Sequence, residues 1–321
     1  MLEISRRLDH PSPALAGPGL AAAARRAFLA TRPAFFIASA MPVLIGAAWA
    51  SSAFHRFNGL WFGLALAATV LAHAAANVYN DVGDDVIGAD TDNTERIYPY
   101  TGGSRFIQTG LLSRAQMTRL ALGLAAVALL LGALLAMSRG PGVVLLGVLG
   151  LGLGLLYSLP GAQLSARGVG ETAVGFSFGV LPVLGTVWLQ AGRLDFDALL
   201  ICLPVSAWAA AILIINEVPD IEADRRAGKR TLVVRCGASG ARWIYWGLTM
   251  LALLASFIAI GLDALPLWYG AAALGVAGLG LRGACGISSA GSGRARLKRS
   301  IELTLAIHAI GCVLLIVAIL V

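Results

Sequence analysis

Two short acidic segments of this sequence share the same spacing of oxygen-bearing side chains. Each is an Asn followed by two Asp residues at intervals of four, namely Asn77, Asp81 and Asp85 in the first segment and Asn216, Asp220 and Asp224 in the second. On an α-helix such positions lie on one face, so each triplet would point an amide oxygen and two carboxylates in one direction. A cation between the carboxylates would offset their repulsion, and an all-oxygen donor set favours Mg²⁺. One such cluster is equally compatible with solvated charges, but two with the same spacing favour paired metal sites.

Basic residues follow both acidic segments. Arg96 and Arg105 follow the first, and Arg225, Arg226, Lys229 and Arg230 follow the second. Metal ions ringed by Arg and Lys would bind a diphosphate, because metal charge and guanidinium donors both complement phosphate oxygens. The backbone amides of Gly102 and Gly103 would also lie close to the phosphate oxygens.

The composition identifies the environment of these charges. Hydrophobic residues make up 58% of the 321 residues and charged residues only 13%, whereas an average soluble domain carries about 25% charged residues. Apolar runs near 20 residues recur, and each can cross a bilayer core about 30 Å thick as a helix. We therefore predict an all-α, polytopic membrane protein. The nine predicted spans are 29–51, 59–78, 119–137, 142–160, 172–190, 198–217, 243–262, 265–282 and 301–321.

The basic residues predict the orientation of these spans. Of the 24 Lys and Arg residues, all but Arg56, Arg139 and Arg193 lie in or at the ends of the segments on one side of the membrane. Because basic loops remain in the cytoplasm, this bias places the N-terminus and both acidic segments there, in a protein of the inner or plasma membrane. The net charge of +7 requires no nucleic-acid partner, since a basic face toward anionic lipid accounts for it.

The expected domain organisation is simple. We interpret residues 1–28 as a cytoplasmic tail, partly disordered around PSPALAGPG, and residues 29–321 as one membrane domain.

A diphosphate bound at the mouth of an apolar bundle suggests a lipid-tailed diphosphate, whose chain would lie among the spans.

Several segments resemble one known family. They are NVYNDVGDDVIGADT (77–91), TGGSR (101–105), RGVGE (167–171) and DIEADRRAGKRTLVVRCG (220–237), with RPAFFIASAMPVLIG (32–46) in the first span. They resemble the UbiA superfamily of intramembrane prenyltransferases, and within it the 1,4-dihydroxy-2-naphthoate polyprenyltransferases of menaquinone synthesis. The resemblance implies nine transmembrane helices, with the two Asp-rich motifs after helices two and six. It also implies Mg²⁺-dependent transfer of a chain from an allylic polyprenyl diphosphate to a small aromatic acceptor.

The resemblance also implies roles for individual residues. Asp81, Asp85, Asp220 and Asp224 would be the catalytic metal ligands. Asn77 and Asn216 would assist them, either by coordinating metal or by holding the Asp side chains in place. Arg105, Arg225 and Lys229 would contact the diphosphate, and Arg32 would bind either the diphosphate or the carboxylate of the acceptor. Tyr157 would either stabilise the allylic cation beside the acceptor or anchor a helix at the membrane interface. The segment YSLPGAQLSARGVGE (157–171) departs from the naphthoate enzymes, because Ala166 and Arg167 stand where an aromatic residue is expected.

Alternatives remain open from the sequence. The acceptor could instead be 4-hydroxybenzoate or another aromatic ring, and the chain could be a cation transporter or a structural membrane subunit. For three residues a structural role competes with a site role. His73 would pack between helices or face the first metal, Glu171 would cap a helix or serve the acceptor, and Asp84 would be solvated or an auxiliary ligand.

Overall fold

The chain folds into a helical bundle. The computed structural model describes residue 15 and residues 17–89, 93–159, 161–287 and 293–321, and all regular elements in these ranges are helical, which confirms the all-α prediction. The helices are α1 (Leu20–Ala30), α2 (Ile37–Phe54), α3 (Gly59–Ile87), α4 (Arg114–Arg139), α5 (Pro141–Ser158), α6 (Gly170–Ala191), α7 (Phe196–Glu217), α8 (Ile221–Arg226), α9 (Leu232–Gly261), α10 (Tyr269–Ala284) and α11 (Arg294–Leu320).

Eight of the helices in the described ranges are long and apolar enough to cross a membrane: α2 to α7, α9 and α11. The remaining predicted span, 265–282, forms α10, which is a helix of only 16 residues. It packs between α9 and α11. The protein is therefore a multi-pass membrane protein whose helix count is close to the predicted nine.

The predicted N-terminal tail contains ordered structure. Residues 1–14 and 16 lie outside the described residues, but α1 begins at Leu20, inside the segment predicted as a tail. Its alanine-rich sequence favours a helix. Arg26 of this helix donates hydrogen bonds to the carbonyls of Leu15 and Gly17 at 2.7 and 2.9 Å, and the Leu15 side chain is buried. The segment just before the first span is thus folded against the bundle.

The two acidic motifs sit on different backbones despite their equal spacing. The first lies wholly on α3, which continues past the predicted end at residue 78 and stops at Gly88, whose φ is +77°. The second is divided, because α7 ends at Glu217 and α8 begins at Ile221. Pro219 lies in this break and has no N–H to continue the helix. The expectation that each triplet occupies one helix face is correct for the first motif and wrong for the second.

The core beneath the motifs is tightly packed where α7 meets α11. A methyl group added at Gly311 would lie 2.6 Å from a ring carbon of the buried Trp208. We expect Gly311→Ala to destabilise the protein by about 1–3 kcal/mol, because the indole cannot shift without displacing its neighbours. Thermal unfolding in detergent measures this. Gly247→Ala in α9 is the matched control, since nothing lies within 4 Å of its added methyl group. Equal melting temperatures for both variants would contradict the prediction.

Candidate active site

The first motif places Asp81 in a buried pocket. Its carboxylate forms an ion pair with Arg32, which lies in a left-handed turn (φ +56°) before α2. The backbone N–H of Ser104 donates a hydrogen bond to the other carboxylate oxygen at 2.9 Å. Two of the sequence-predicted residues, Arg32 and Asp81, are therefore brought together by the fold.

A buried ion-pair network links the two motifs. The Lys229 ammonium lies 3.0 Å from Asp84 of the first motif and 3.4 Å from Asp224 of the second. The three residues are only 7%, 6% and 8% exposed for Asp84, Asp224 and Lys229. The alternative that Asp84 is solvated is therefore wrong. The spacing of the first motif does not include Asp84, and only the fold shows that Asp84 lies on the side of α3 that faces the second motif.

Asp85 faces a different part of the structure from its neighbour. It accepts hydrogen bonds from Gln108 at 3.2 Å and from Arg114 at 2.7 Å, and the Arg114 side chain is 55% exposed. Consecutive residues of a helix point about 100° apart, so Asp84 and Asp85 cannot face the same group. In the described residues, the hydrogen bonds of Asp85 thus go to these two side chains and not to the second motif.

The second motif is held by the loop that follows the first. Asp220 accepts hydrogen bonds from the side chain of Asn93 at 2.7 Å and from the backbone N–H of Gly102 at 3.0 Å. Gly102 has a φ of +66°, and an added methyl group would lie 2.8 Å from Arg96. A glycine is required here. The Gly102 amide, predicted to face phosphate, binds the Asp220 carboxylate instead.

Burial shapes the charge balance of this site. It raises the pKa of Asp220, and it raises the pKa of Asp224 to about 7 although the charge of Lys229 opposes that shift. Burial by itself lowers the pKa of Lys229, but Asp84 and Asp224 outweigh it and hold the pKa well above the usual range. Burial thus disfavours the charged forms of Asp220 and Asp224, and a further cation beside them would offset that cost.

The remaining predicted site residues differ in their hydrogen-bond partners. The Oδ1 atom of Asn216 is buried without a hydrogen-bond partner, whereas Asn77 donates to the carbonyl of Thr31 at 3.0 Å. Arg225 pairs with Glu222 on the exposed side of α8. Arg105 has a left-handed backbone, with φ +63°, directly after the Ser104 amide that binds Asp81. The unpartnered amide oxygen of Asn216 is the feature that calls for a ligand.

Two more buried carboxylates lie behind the second motif. Glu171 accepts a hydrogen bond from the N–H of Leu232 at 3.0 Å, at the start of α9. The second carboxylate oxygens of Glu171 and Glu217 are both buried without a donor. A methyl group at Gly170 would lie 3.4 Å from the Tyr157 ring, so Tyr157 packs beside this pair. Sequence reasoning missed Glu217, whose only signal was a charge at the end of an uncharged run.

His73 occupies the interior of the bundle. Its Nδ1 lies 3.1 Å from the Ser39 hydroxyl, and its ring packs edge-on against Phe178 at 4.5 Å between centroids. These contacts agree with the helix-packing interpretation of this residue.

The donor set suits a hard cation better than a soft one. Asp81, Asp84, Asp220 and Asp224 supply carboxylate oxygens and Asn216 an unpartnered amide oxygen, the ligand types that Mg²⁺ takes. Within the described ranges, no three His, Cys, Asp or Glu side chains already form a ready metal cluster. The ligand types of these residues therefore suit Mg²⁺. In this structure the carboxylates mainly contact Arg32, Lys229 and backbone amides.

Comparison with known proteins extends these observations. Residues 39–319 match the model of the UbiA prenyltransferase family. The chain is 34% identical over 240 residues to the 1,4-dihydroxy-2-naphthoate octaprenyltransferase of Mycobacterium tuberculosis, covering 70% of this chain and 77% of the relative. It is 32% identical over 234 residues to the Escherichia coli protein of the same name, covering 70% and 74%.

Solved structures share the fold. A UbiA homolog from Aeropyrum pernix K1 superposes with a TM-score of 0.68 at 21% identity, covering 88% of this chain and 97% of that one. A UbiA homolog from Archaeoglobus fulgidus bound to DMAPP and Mg²⁺ gives 0.61 at 16% identity, covering 89% and 97%. At these identities the likeness concerns the arrangement of the helices.

Proposed function

This chain belongs to the UbiA prenyltransferase family, and from that premise we propose that it transfers a polyprenyl chain from an allylic diphosphate to 1,4-dihydroxy-2-naphthoate. The observation that carries the proposal is the Lys229 ammonium held between Asp84 and Asp224, which joins the two acidic motifs into one site. The naphthoate acceptor is supported by relatives of that name. The family assignment replaces the transporter and structural-subunit alternatives.

The carboxylates of the two motifs form the proposed metal-binding part of the site. Asp81, Asp84, Asp220 and Asp224 would hold Mg²⁺, with Asn77 and Asn216 assisting. When bound, Mg²⁺ supplies Lewis acidity to a diphosphate leaving group, and the solved relative with DMAPP and Mg²⁺ supports its use. Asp85 remains a predicted ligand from its spacing, but its hydrogen bonds to Gln108 and Arg114 favour a supporting role.

Cationic side chains on both sides of the site would bind the diphosphate. Arg32 lies beside Asp81 and Lys229 beside Asp84, so their charges meet the phosphate oxygens and stabilise the negative charge that develops as the allylic C–O bond breaks. Arg105 and Arg225 are further proposed contacts. Tyr157, packed against Gly170, would border the acceptor, whose ring would form the new bond to the allylic carbon and lose its carboxylate as CO₂.

The apolar helices would hold the prenyl chain within the bilayer. We place the two motifs on the cytoplasmic side of the cell membrane, since the basic residues concentrate at that end of the bundle. The polar diphosphate group and the apolar prenyl chain then meet at the membrane surface.

A transfer assay tests the proposal. Purified protein in detergent would receive radiolabelled farnesyl diphosphate with 1,4-dihydroxy-2-naphthoate or 4-hydroxybenzoate in parallel. We expect prenylated product with the naphthoate and little with the benzoate. Product from 4-hydroxybenzoate alone would overturn the acceptor and point to the divergent 157–171 segment, and no product with either would overturn the transferase assignment to these substrates.

A further inference from the structure

The loop that carries Lys229 is fastened to a segment distant in sequence. The N–H of Arg230 donates to the carbonyl of Ala166 at 2.9 Å. Outside the helices, no other backbone-to-backbone hydrogen bond of the described residues joins parts of the chain that are distant in sequence. The N–H of Leu232 binds Glu171 two residues later. The backbone on the C-terminal side of Lys229 is therefore held at two points by residues 166–171.

Arg235 completes this attachment. Its Nε donates to the carbonyl of Arg230 at 3.0 Å, and its Nη2 donates to the carbonyl of Arg167 at 2.6 Å. Both the N–H and the C=O of Arg230 are thus bonded. Gly168 has a φ of +73°, and an added methyl group there would lie 3.0 Å from the guanidinium carbon. The absence of a side chain lets the planar guanidinium lie against the backbone.

The attachment bears directly on the proposed diphosphate site. Lys229 precedes Arg230 in the chain, and its ammonium reaches Asp84 and Asp224 at the end of a long flexible side chain. A lysine ammonium is a compact charge on a four-carbon stem, so its mean position depends on where its backbone is held. Displacement of that backbone by about 1 Å would weaken the contacts that the ammonium makes with Asp84 and Asp224.

We propose that Arg235 is a positioning residue, which joins the 166–168 segment to Arg230 and so places Lys229 for the diphosphate. Arg235 itself is exposed at the surface, and its side chain donates hydrogen bonds to two backbone carbonyls within the described residues. Its effect on the substrate is therefore indirect. The inference rests on the proposed function, because it takes Lys229 as a diphosphate contact.

The first test is the affinity for farnesyl diphosphate, measured without acceptor, and the KM for the same compound. We expect Arg235→Gln to weaken both about tenfold, with kcat changed much less, since two charge-assisted bonds to carbonyls are lost. The affinity of Arg235→Lys should lie between those of the unmodified protein and Arg235→Gln, because a single ammonium replaces a guanidinium that donates to two carbonyls. The matched control is Arg296→Gln, which removes an arginine bond to the carbonyl of Cys285 at 2.7 Å.

A double-mutant cycle separates positioning from general destabilisation. If Arg235 acts through Lys229, then Arg235→Gln will have little further effect on affinity in a Lys229→Ala background. Additive losses, an unchanged affinity in Arg235→Gln, or an equal loss in Arg296→Gln would overturn the inference. Melting temperatures of all variants identify loss from unfolding, and if Arg235→Gln does not fold, Arg235→Lys carries the same cycle.

The outcomes also distinguish this inference from the proposed function. Absence of prenyl transfer by the unmodified protein would defeat the proposed function, whatever Arg235 does. Transfer by the unmodified protein, with an affinity that is insensitive to Arg235 or to Lys229, would defeat the positioning role alone.

Discussion

Replacing Asp84 by alanine is expected to lower kcat/KM for the prenyl diphosphate about a thousandfold, whereas replacing its neighbour Asp85 should cost less than about tenfold. The two carboxylates are adjacent in sequence but face different groups. Asp84 is buried against Lys229, next to the second motif, so its loss removes a charge from the centre of the site. The Asp85 side chain is 13% exposed, but its partner Arg114 is 55% exposed, and an ion pair open to water on one side contributes less than a buried one.

The pair of variants is its own matched control, because both remove one carboxylate from the same turn of α3. Initial rates with farnesyl diphosphate and 1,4-dihydroxy-2-naphthoate would be compared with melting temperatures in the same detergent. Asp84→Asn, which keeps the shape of the side chain and removes its charge, should resemble Asp84→Ala. An equal or larger loss of kcat/KM in Asp85→Ala would indicate that Asp85 binds the metal, as the spacing alone predicts.

Removal of divalent metal is expected to abolish prenyl transfer, and added Mg²⁺ is expected to restore it. The site combines several buried carboxylates with one buried lysine, and an incoming diphosphate adds further negative charge. Without a divalent cation these charges repel each other in a poorly solvated site. The measurement is the initial rate after treatment with EDTA and then during titration with MgCl₂.

Calcium provides a discriminating control for the metal experiment. Ca²⁺ prefers six to eight oxygen ligands at about 2.3–2.6 Å, whereas Mg²⁺ requires near-octahedral geometry at about 2.0–2.1 Å. We therefore expect Ca²⁺ to restore much less activity than Mg²⁺ at equal concentration. Full activity after exhaustive chelation would contradict the proposed metal-binding role of the carboxylates. Their function would then be to form the ion pairs with Arg32 and Lys229.

Local features of the sequence were sufficient for the class of fold and for the first motif. The apolar runs predicted membrane helices because the length and hydrophobicity of a span are properties of a continuous segment. Eight of the nine runs correspond to helices of spanning length in the described residues, and the remaining run, 265–282, corresponds to the shorter α10. Asn77, Asp81 and Asp85 lie on one helix, as their spacing requires.

Local spacing was less informative for the second motif. A regular interval of four between Asn216, Asp220 and Asp224 describes a helix only if the helix continues, and the chain breaks between Glu217 and Ile221. The proline in this break was visible in the sequence and is the signal that could have corrected the expectation. The direction of each side chain after such a break depends on the loops that hold it.

The sequence by itself determined the helical membrane fold, the pairing of two acidic motifs and the oxygen character of the site, because residue type and local periodicity encode these. Only the tertiary structure decided that Asp84 rather than Asp85 meets Lys229, which lies 145 residues further along the chain. It also decided that Arg235 holds the loop bearing that lysine. Such contacts depend on how separate helices rotate and pack against each other, and no spacing within one segment specifies that rotation.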